Sequence, residues 1–450
     1  MAENKAKKKV LIISHDKIGT SMAGPGIRYH YMAETLSDKF DVTIGFFGPD
    51  YLPEKDFQRA YKVKHVDSHL FETGFKDIDI VIALWLSEAM IDYCNKRGIF
   101  VVFDMYVVGS VENLAGALFN DRSAWPQDDF EYDQSLAMSR RFLENGDLFL
   151  LSNQRQLDYW IGFMFGANQI HLSSYPNRPI YDRLIFAPMG IDTSLPMKRT
   201  KNVIRGVMPG IGEKDKILIW TGGIWGHFDG QVLIRAMKVL EKERPDIKLV
   251  FLGTRHPNSS VLQSKESADT YELAKKYGLL SKNVLFNDGW VDYHQRVNYL
   301  LESDVAVSTH KPSIETEFSH RTRILDHLLA ALPTVSTEGD YIADVIIKPN
   351  NLGLTVPPND PGALVEAIIQ ILEPERYKEI KNNLHKVRGE YDWAKTMQPL
   401  REFLINDPKK LQRLTTVPKL KSSNKAIRLA KKVTPLPVKK AVYNSLKRLK

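Results

Sequence analysis

At 450 residues, with 43% hydrophobic and 26% charged side chains, the chain is too long for one hydrophobic core and suits two soluble globular domains. No apolar run reaches the ~18 residues that cross a bilayer, and the single Cys94 excludes an intramolecular disulfide framework or a multi-cysteine zinc site, which points to a reducing, cytoplasmic compartment. The net charge of +8 is local: residues 409–450 hold 14 Lys or Arg and no acid, leaving 48 basic against 54 acidic residues elsewhere, so no nucleic-acid partner is expected.

The chain runs from a lysine cluster straight into Val10 to Ile13, too short for a signal-peptide core and expected as the first strand. Buried strands are then expected at Val42 to Phe46, Ile78 to Ala83, Ile99 to Phe103 and Leu148 to Leu151, between helical patterns around 26–37, 87–97, 127–144 and 153–165. The second half repeats this with strands at Ile217 to Thr221, Lys248 to Leu252, Val284 to Phe286, Val305 to Ser308, Thr334 to Ser336 and Gly353 to Val356. Its helical patterns lie near 230–243, 264–277, 292–302, 320–331, 339–347 and 360–372. Such alternation predicts an α/β chain of two doubly wound, Rossmann-like domains facing a cleft. The expected division is 1–192, a linker at 193–214 where Pro209 and Gly210 break periodicity, 215–390, a helix at 391–408, and a basic amphipathic tail at 409–450.

Several residues along this frame point to chemistry. Gly24 and Gly26 follow the first strand, and Gly222 and Gly223 follow the first strand of the second half; both pairs allow close backbone approach to a ligand, or simply a tight turn. Arg321 and Arg323 add charge to an expected helix start, which makes a phosphate site. Arg255 is a third candidate cation, since guanidinium binds phosphate bidentately. His15 and Asp104 lie at strand ends, as candidate bases or as plain helix caps. No cluster has metal-ligand spacing, so no metal is expected.

Four passages, Met22 to Arg28, Ala187 to Asp192, Trp220 to Trp225 and Glu315 to Pro333, together resemble the GT-B glycosyltransferases, specifically the retaining group 1 family, over about residues 8 to 400. The resemblance implies a nucleotide diphosphate-sugar donor, no cofactor, and an acceptor side formed by Gly24, Gly26 and Arg28. It places Trp290 and Val291 near the base, with Trp290 as a stacking candidate, and Gly222 and Gly223 near the diphosphate. In the family a Glu contacts the donor sugar and a carboxylate eight residues later holds the ribose; here Asp326 takes the second role, and Glu317, nine residues earlier, is favoured for the first over Glu315. The family's usual Arg and Lys after the Gly-Gly loop are missing, so Arg321, Arg323 and Arg255 are the expected replacements. The implied activity is hexosyl transfer, with retention, to a glycan or lipid-linked acceptor in cell-surface polysaccharide or glycolipid synthesis. The catalytic candidates are Glu317, Asp104 and His15. The alternatives are a sugar-nucleotide epimerase or hydrolase of the same fold, and a noncatalytic partner. Lys431, Lys432, Lys439, Lys440, Lys447 and Arg448, spaced among apolar residues, suggest peripheral attachment to the anionic inner face of the cell membrane.

Overall fold

In the computed structural model, which describes residues 6–47, 53–66, 77–120, 128–170, 175, 180–254, 262–287 and 289–406, the apolar runs assemble into two separate parallel sheets. The basic tail at 409–450 and Arg255 lie outside the described residues.

The first domain runs β1 (Lys9–Ser14), α1 (Gly24–Leu36), β2 (Asp41–Phe46), β3 (Lys62–His65), β4 (Ile80–Ala83), α2 (Glu88–Arg97), β5 (Phe100–Asp104), α3 (Gly109–Leu118), α4 (Asp129–Asn145), β6 (Leu148–Leu151), α5 (Gln154–Gly166) and β7 (Leu184–Phe186). Its strands pair in the order β3-β2-β1-β4-β5-β6-β7. The second domain runs β8 (Lys216–Thr221), α6 (Gly230–Glu243), β9 (Ile247–Leu252), α7 (Lys265–Lys276), β10 (Val284–Asn287), α8 (Arg296–Glu302), β11 (Val305–Ser308), α9 (Ile314–Phe318), α10 (Arg323–Leu329), β12 (Thr334–Thr337), a π-helix at Ile342–Ile347, β13 (Gly353–Val356), α11 (Pro361–Ile371) and α12 (Pro374–Val387). Its sheet order is β10-β9-β8-β11-β12-β13. Helices cover both faces of each sheet, which is why β4, β5, β6 and β11 are buried along their whole length and read as continuous apolar runs. Side-chain caps fix several helix starts at the sheet edge, from Asn153 on α5, Asp229 on α6 and Ser313 on α9, each worth about 1 kcal/mol.

The doubly wound pair of domains is as expected, with additions where sequence periodicity is weak. Edge strand β3 and the three-residue β7 carry little pattern of their own. Helix α3 starts at Gly109 and contains Gly116, a poor helix sequence that persists because Val111 and Ala115 are buried against the first sheet's helices. The expected helix at 320–331 is shorter, as α10, and an additional short helix, α9, precedes it across the turn at 319–322. Residues 203–211 of the expected linker belong to the second domain: buried Glu302 accepts the backbone N–H groups of Val203, Ile204 and Arg205 at 3.0, 2.8 and 2.8 Å. Val203, Ile204 and Ile211 then pack with Ile217, Val250 and Leu285.

The chain crosses between domains at Ile191 and returns at Trp393, and these two crossings are zipped together. Ile191 donates its N–H to Tyr391 O at 2.8 Å, and Trp393 donates to Ile191 O at 3.0 Å. Trp393, in α13 (Trp393–Thr396), stacks on Tyr31 of α1 with centroids 5.2 Å apart, and α14 (Gln398–Ile405) lies on the first domain with Arg401 paired to Asp38. The Trp393→Ala variant should lose about 3–5 kcal/mol of stability through the cavity it leaves. A urea midpoint equal to the parent's would show that this ring does not hold the domains together.

Candidate functional site

In each sheet the strand order reverses beside the first strand, between β1 and β4 and between β8 and β11, and ligands of open α/β sheets bind at that switch point beyond the carboxyl ends. Here the two switch points line one cleft of about 560 Å³. The first domain contributes Gly24, Leu84, Tyr106 and Glu112; the second contributes Thr221 to Gly223, Gly253, Trp290, Val291 and the 318–326 segment. The walls approach closely, since a Cβ added at Gly24 would sit 3.9 Å from Thr322 Oγ1. Polar clamps span them: Gln156 Nε2 donates to Tyr106 O at 2.9 Å and to Phe318 O at 3.1 Å, while Arg155 donates to Gly339 O at 2.7 Å and to Asp344 at 2.8 Å.

The Gly-Gly loop forms the turn that follows β8. Gly222 adopts φ +82°, a left-handed conformation that glycine takes without a Cβ penalty, and nothing fills the space where a side chain would stand. Arg323, from the first turn of α10, donates Nη2 to Gly223 O at 2.7 Å and lies over the Phe228 and Trp220 rings at 3.8 and 4.6 Å. Its Nη1 has no partner among the described residues. Burial, and then the neighbouring Arg321, lower its pKa to about 9 against the charge of Asp326, so it stays charged at neutral pH without a direct ion pair among the described residues. Helix α10 is held behind it by His327, whose ring nitrogens face Thr221 Oγ1 at 3.1 Å and Thr334 Oγ1 at 3.3 Å. Burial pushes His327 down to about 3, so it is a neutral bridge between two hydroxyls.

Other sequence candidates are placed differently. Arg321, also in the cleft wall, is not a free phosphate ligand: Nη1 and Nη2 grip the Glu315 carboxylate at 2.8 and 2.7 Å, with both side chains at most 5% exposed. Burial alone would raise Glu315, but Arg321 beside it holds it below the usual carboxylate range. Glu317 does not line the cleft. It is exposed on the far side of α9, because residues two apart on a helix point in nearly opposite directions and Glu315 takes the inward one. Asp326 lines the cleft but meets Arg296, which engages both carboxylate oxygens at 3.0 Å and lies over the Tyr293 ring at 3.9 Å. Burial raises the Asp326 pKa, while Arg296 and Arg323 oppose the shift.

In the first domain, Asp104 and Arg28 are sealed away from the cleft. Arg28 Nε and Nη2 bond the two Asp104 oxygens at 2.6 Å each, both side chains are 0% exposed, and Tyr106 covers the guanidinium at 4.7 Å. Asp104 therefore neutralises Arg28 instead of meeting an acceptor, and Arg28 is no phosphate ligand. His15 also turns away: it stacks on Phe47 at 5.2 Å, Nε2 lies 3.2 Å from Trp85 O, and burial lowers its pKa. Gly26 supports the cleft only indirectly, since a Cβ there would lie 2.1 Å from Lys17 O. Trp290 and Val291 do line the cleft, with Trp290 leaning on Gly253.

Arg296, Glu112 and His320 are cleft residues that sequence reasoning missed. Arg296 begins a helix without a motif, and Glu112 lies in the unanticipated α3. His320 sits between the two arginine candidates; both its ring nitrogens are inaccessible and unpartnered among the described residues, and burial lowers it to about 3. Among the described residues, no group of three His, Cys, Asp or Glu could hold a metal ion.

Residues 209–387 match the family model described as Glycosyl transferases group 1. No curated protein matches by sequence. Among solved structures, a sucrose-phosphate synthase from Thermosynechococcus elongatus is similar with a TM-score of 0.64 at 16% identity, covering 89% of this chain and 100% of that one. Anabaena HepE in complex with UDP-glucose gives 0.62 at 13% identity, covering 88% and 99%. WaaG, a glycosyltransferase involved in lipopolysaccharide biosynthesis, gives 0.59 at 17% identity, covering 88% and 99%. At these identities the likeness establishes the fold, two facing Rossmann-like domains.

An Asp104→Asn variant leaves the buried Arg28 charge unpaired and should cost about 3–5 kcal/mol in urea unfolding. Its affinity for a nucleotide ligand should be unchanged by calorimetry, whereas a residue acting in the cleft would show the reverse pattern.

Proposed function

We propose that the protein transfers a sugar, with retention, from a nucleoside diphosphate-sugar to a hydroxyl of a glycan or lipid-linked acceptor, because residues 209–387 match the glycosyl transferases group 1 model and the two domains share the GT-B fold. The observation that carries this reading is the pairing of the Gly222–Gly223 loop with Arg323, a cleft-lining residue whose Nη1 is buried and unpartnered among the described residues. A strand end, an open glycine turn and a guanidinium without a direct ion pair suit a diphosphate. Arg323 meets the charge that develops on the leaving group, in the place of the Arg and Lys that the family carries after that loop, so no metal is assigned a role. Trp290 and Val291 line the side where a base would lie, and Asp326, engaged on both oxygens by Arg296, would meet a ribose only by sharing or exchanging that pairing. That a UDP-glucose complex exists for Anabaena HepE supports a nucleotide-sugar donor here.

Attachment to an anionic membrane surface in cell-surface polysaccharide or glycolipid synthesis follows from the basic tail and a lipid-linked acceptor. No helix among the described residues is long and apolar enough to cross a membrane. Each basic residue near such a surface contributes about 1 kcal/mol, so removing residues 415–450 should release the protein from anionic liposomes. A truncated chain that still floats with them would overturn the attachment.

The donor reading is tested by thermal unfolding with UDP, GDP, CDP, ADP and dTDP. Saturation near 100 times the dissociation constant stabilises by about 2.7 kcal/mol, and one nucleotide should stand out. In Arg323→Ala the affinity for that nucleotide should fall about 10- to 100-fold, as expected for a lost charged hydrogen bond of about 1.5–3 kcal/mol. No shift with any nucleotide would remove this reading.

A further inference from the structure

The wall segment that ends in Arg323 is held at its two ends by different domains. Arg323 itself is fixed from within the second domain, by Gly223 O and the Phe228 and Trp220 rings. The other end, at Phe318, is held by the first. Helix α9 stops there, and the last carbonyls of a helix have no partner inside it. Thr316 O is met locally, by Ser319 Oγ at 3.2 Å. Glu317 O accepts instead from Arg155 at 3.1 Å, and Phe318 O accepts from Gln156 Nε2 at 3.1 Å and Asn153 Nδ2 at 3.5 Å, so side chains at the start of α5 in the first domain cap a helix of the second. The Phe318 ring crosses with its carbonyl: it packs on the first domain's core and meets Tyr159 edge-on, with centroids 5.4 Å apart. The chain then continues through Ser319, His320, Arg321 and Thr322, all of which line the cleft.

Gln156 is the centre of this contact. It is 0% exposed, and its oxygen accepts Ser152 N–H at 2.8 Å while its single NH2 donates to both Tyr106 O and Phe318 O, cleft-lining residues of opposite walls. The amide cannot turn over, because the reverse orientation would aim its oxygen at two carbonyls and its NH2 at an N–H. Arg155 widens the hold, with Nη1 shared between Glu317 O and Gly339 O and Nη2 on Asp344.

We propose that Gln156, with Arg155 beside it, is a positioning residue for sugar transfer: through it the first domain sets where residues 318–322 of the second domain's wall stand against a bound donor. This rests on the glycosyltransferase reading and assigns no proton or bond of the reaction to either side chain. The crossings at Ile191 and Trp393 hold the domains together, whereas α5 acts on this one stretch of wall. A nucleoside diphosphate held by the Gly222–Gly223 loop and Arg323 needs the second domain alone, and its affinity is independent of α5. Transfer needs both walls in register, and a displacement of about 1 Å costs about 10²-fold in rate.

The test uses the full chain. In hydrogen–deuterium exchange, the amides of residues 319–323 should exchange roughly 2- to 10-fold faster in Gln156→Met than in the wild type, the factor that one lost hydrogen bond supplies, and those around Gly222 and Gly223 should be unchanged. By calorimetry, the affinity for whichever of UDP, GDP, CDP, ADP and dTDP stabilises the wild type should be equal in both proteins. Release of that nucleotide from its glucose conjugate to water should fall about 10²-fold. Arg155→Met removes the more exposed part of the contact, so it should fold even where Gln156→Met does not and show the same split, and Arg155→Lys should restore part of the rate. Unchanged exchange at 319–323 in both Met variants would overturn the positioning role. So would a rate that falls only in step with nucleotide affinity, which is what general damage to the fold produces. If no nucleotide stabilises the wild-type chain, the donor reading fails instead, and the exchange rates still decide whether α5 fixes the segment.

Discussion

Pairing of guanidinium with carboxylate governs this cleft. Arg28 ties α1 to the end of β5 through Asp104, Arg321 ties the 319–322 turn back to α9 through Glu315, and Arg296 ties α8 to α10 through Asp326. Each is a two-pronged contact, which fixes orientation as well as distance. A buried charge left alone is costly, so these pairs restrict how the segments around the cleft can sit. Arg323 differs from these three in that it forms no ion pair with a carboxylate among the described residues and leaves Nη1 unpartnered. The chemistry assigned to the cleft rests on that guanidinium.

The histidines follow a different rule. His320 and His327 are both desolvated enough to titrate near 3, so they are neutral where the arginines remain charged. His327 contributes geometry by spanning Thr221 and Thr334 behind the loop that carries Gly222.

The relation between the walls is set away from the cleft. Tyr31 stacks on Trp393, donates to Asp192 at 3.0 Å and meets the Tyr293 hydroxyl at 3.2 Å, while Tyr293 N–H reaches Thr20 O at 2.8 Å. Residues from α1, the crossing segment, the second domain and the returning chain thus share one aromatic joint. It places Glu112 and Glu315 on facing walls although 203 positions separate them in sequence.

The sequence by itself determined the two doubly wound domains, because parallel strands buried on both faces must be continuous apolar runs and the helices between them must be amphipathic. It also marked the glycine turns, since glycine permits a left-handed turn and close backbone approach after a strand, and Arg323, which keeps its charge when buried. Tertiary structure decided which charged residues are free. Asp104, Arg28, Arg321, Glu315 and Asp326 all carry the right charge in the right neighbourhood, and nothing in their spacing reveals that a partner neutralises each of them. Glu317 and Glu315 differ only by rotation about a short helix that sequence periodicity did not resolve, and Glu112 sits on a glycine-containing helix that exists because its apolar side is buried. Pairing and burial depend on residues far apart in the chain, which is why local pattern found the cleft but not its working groups.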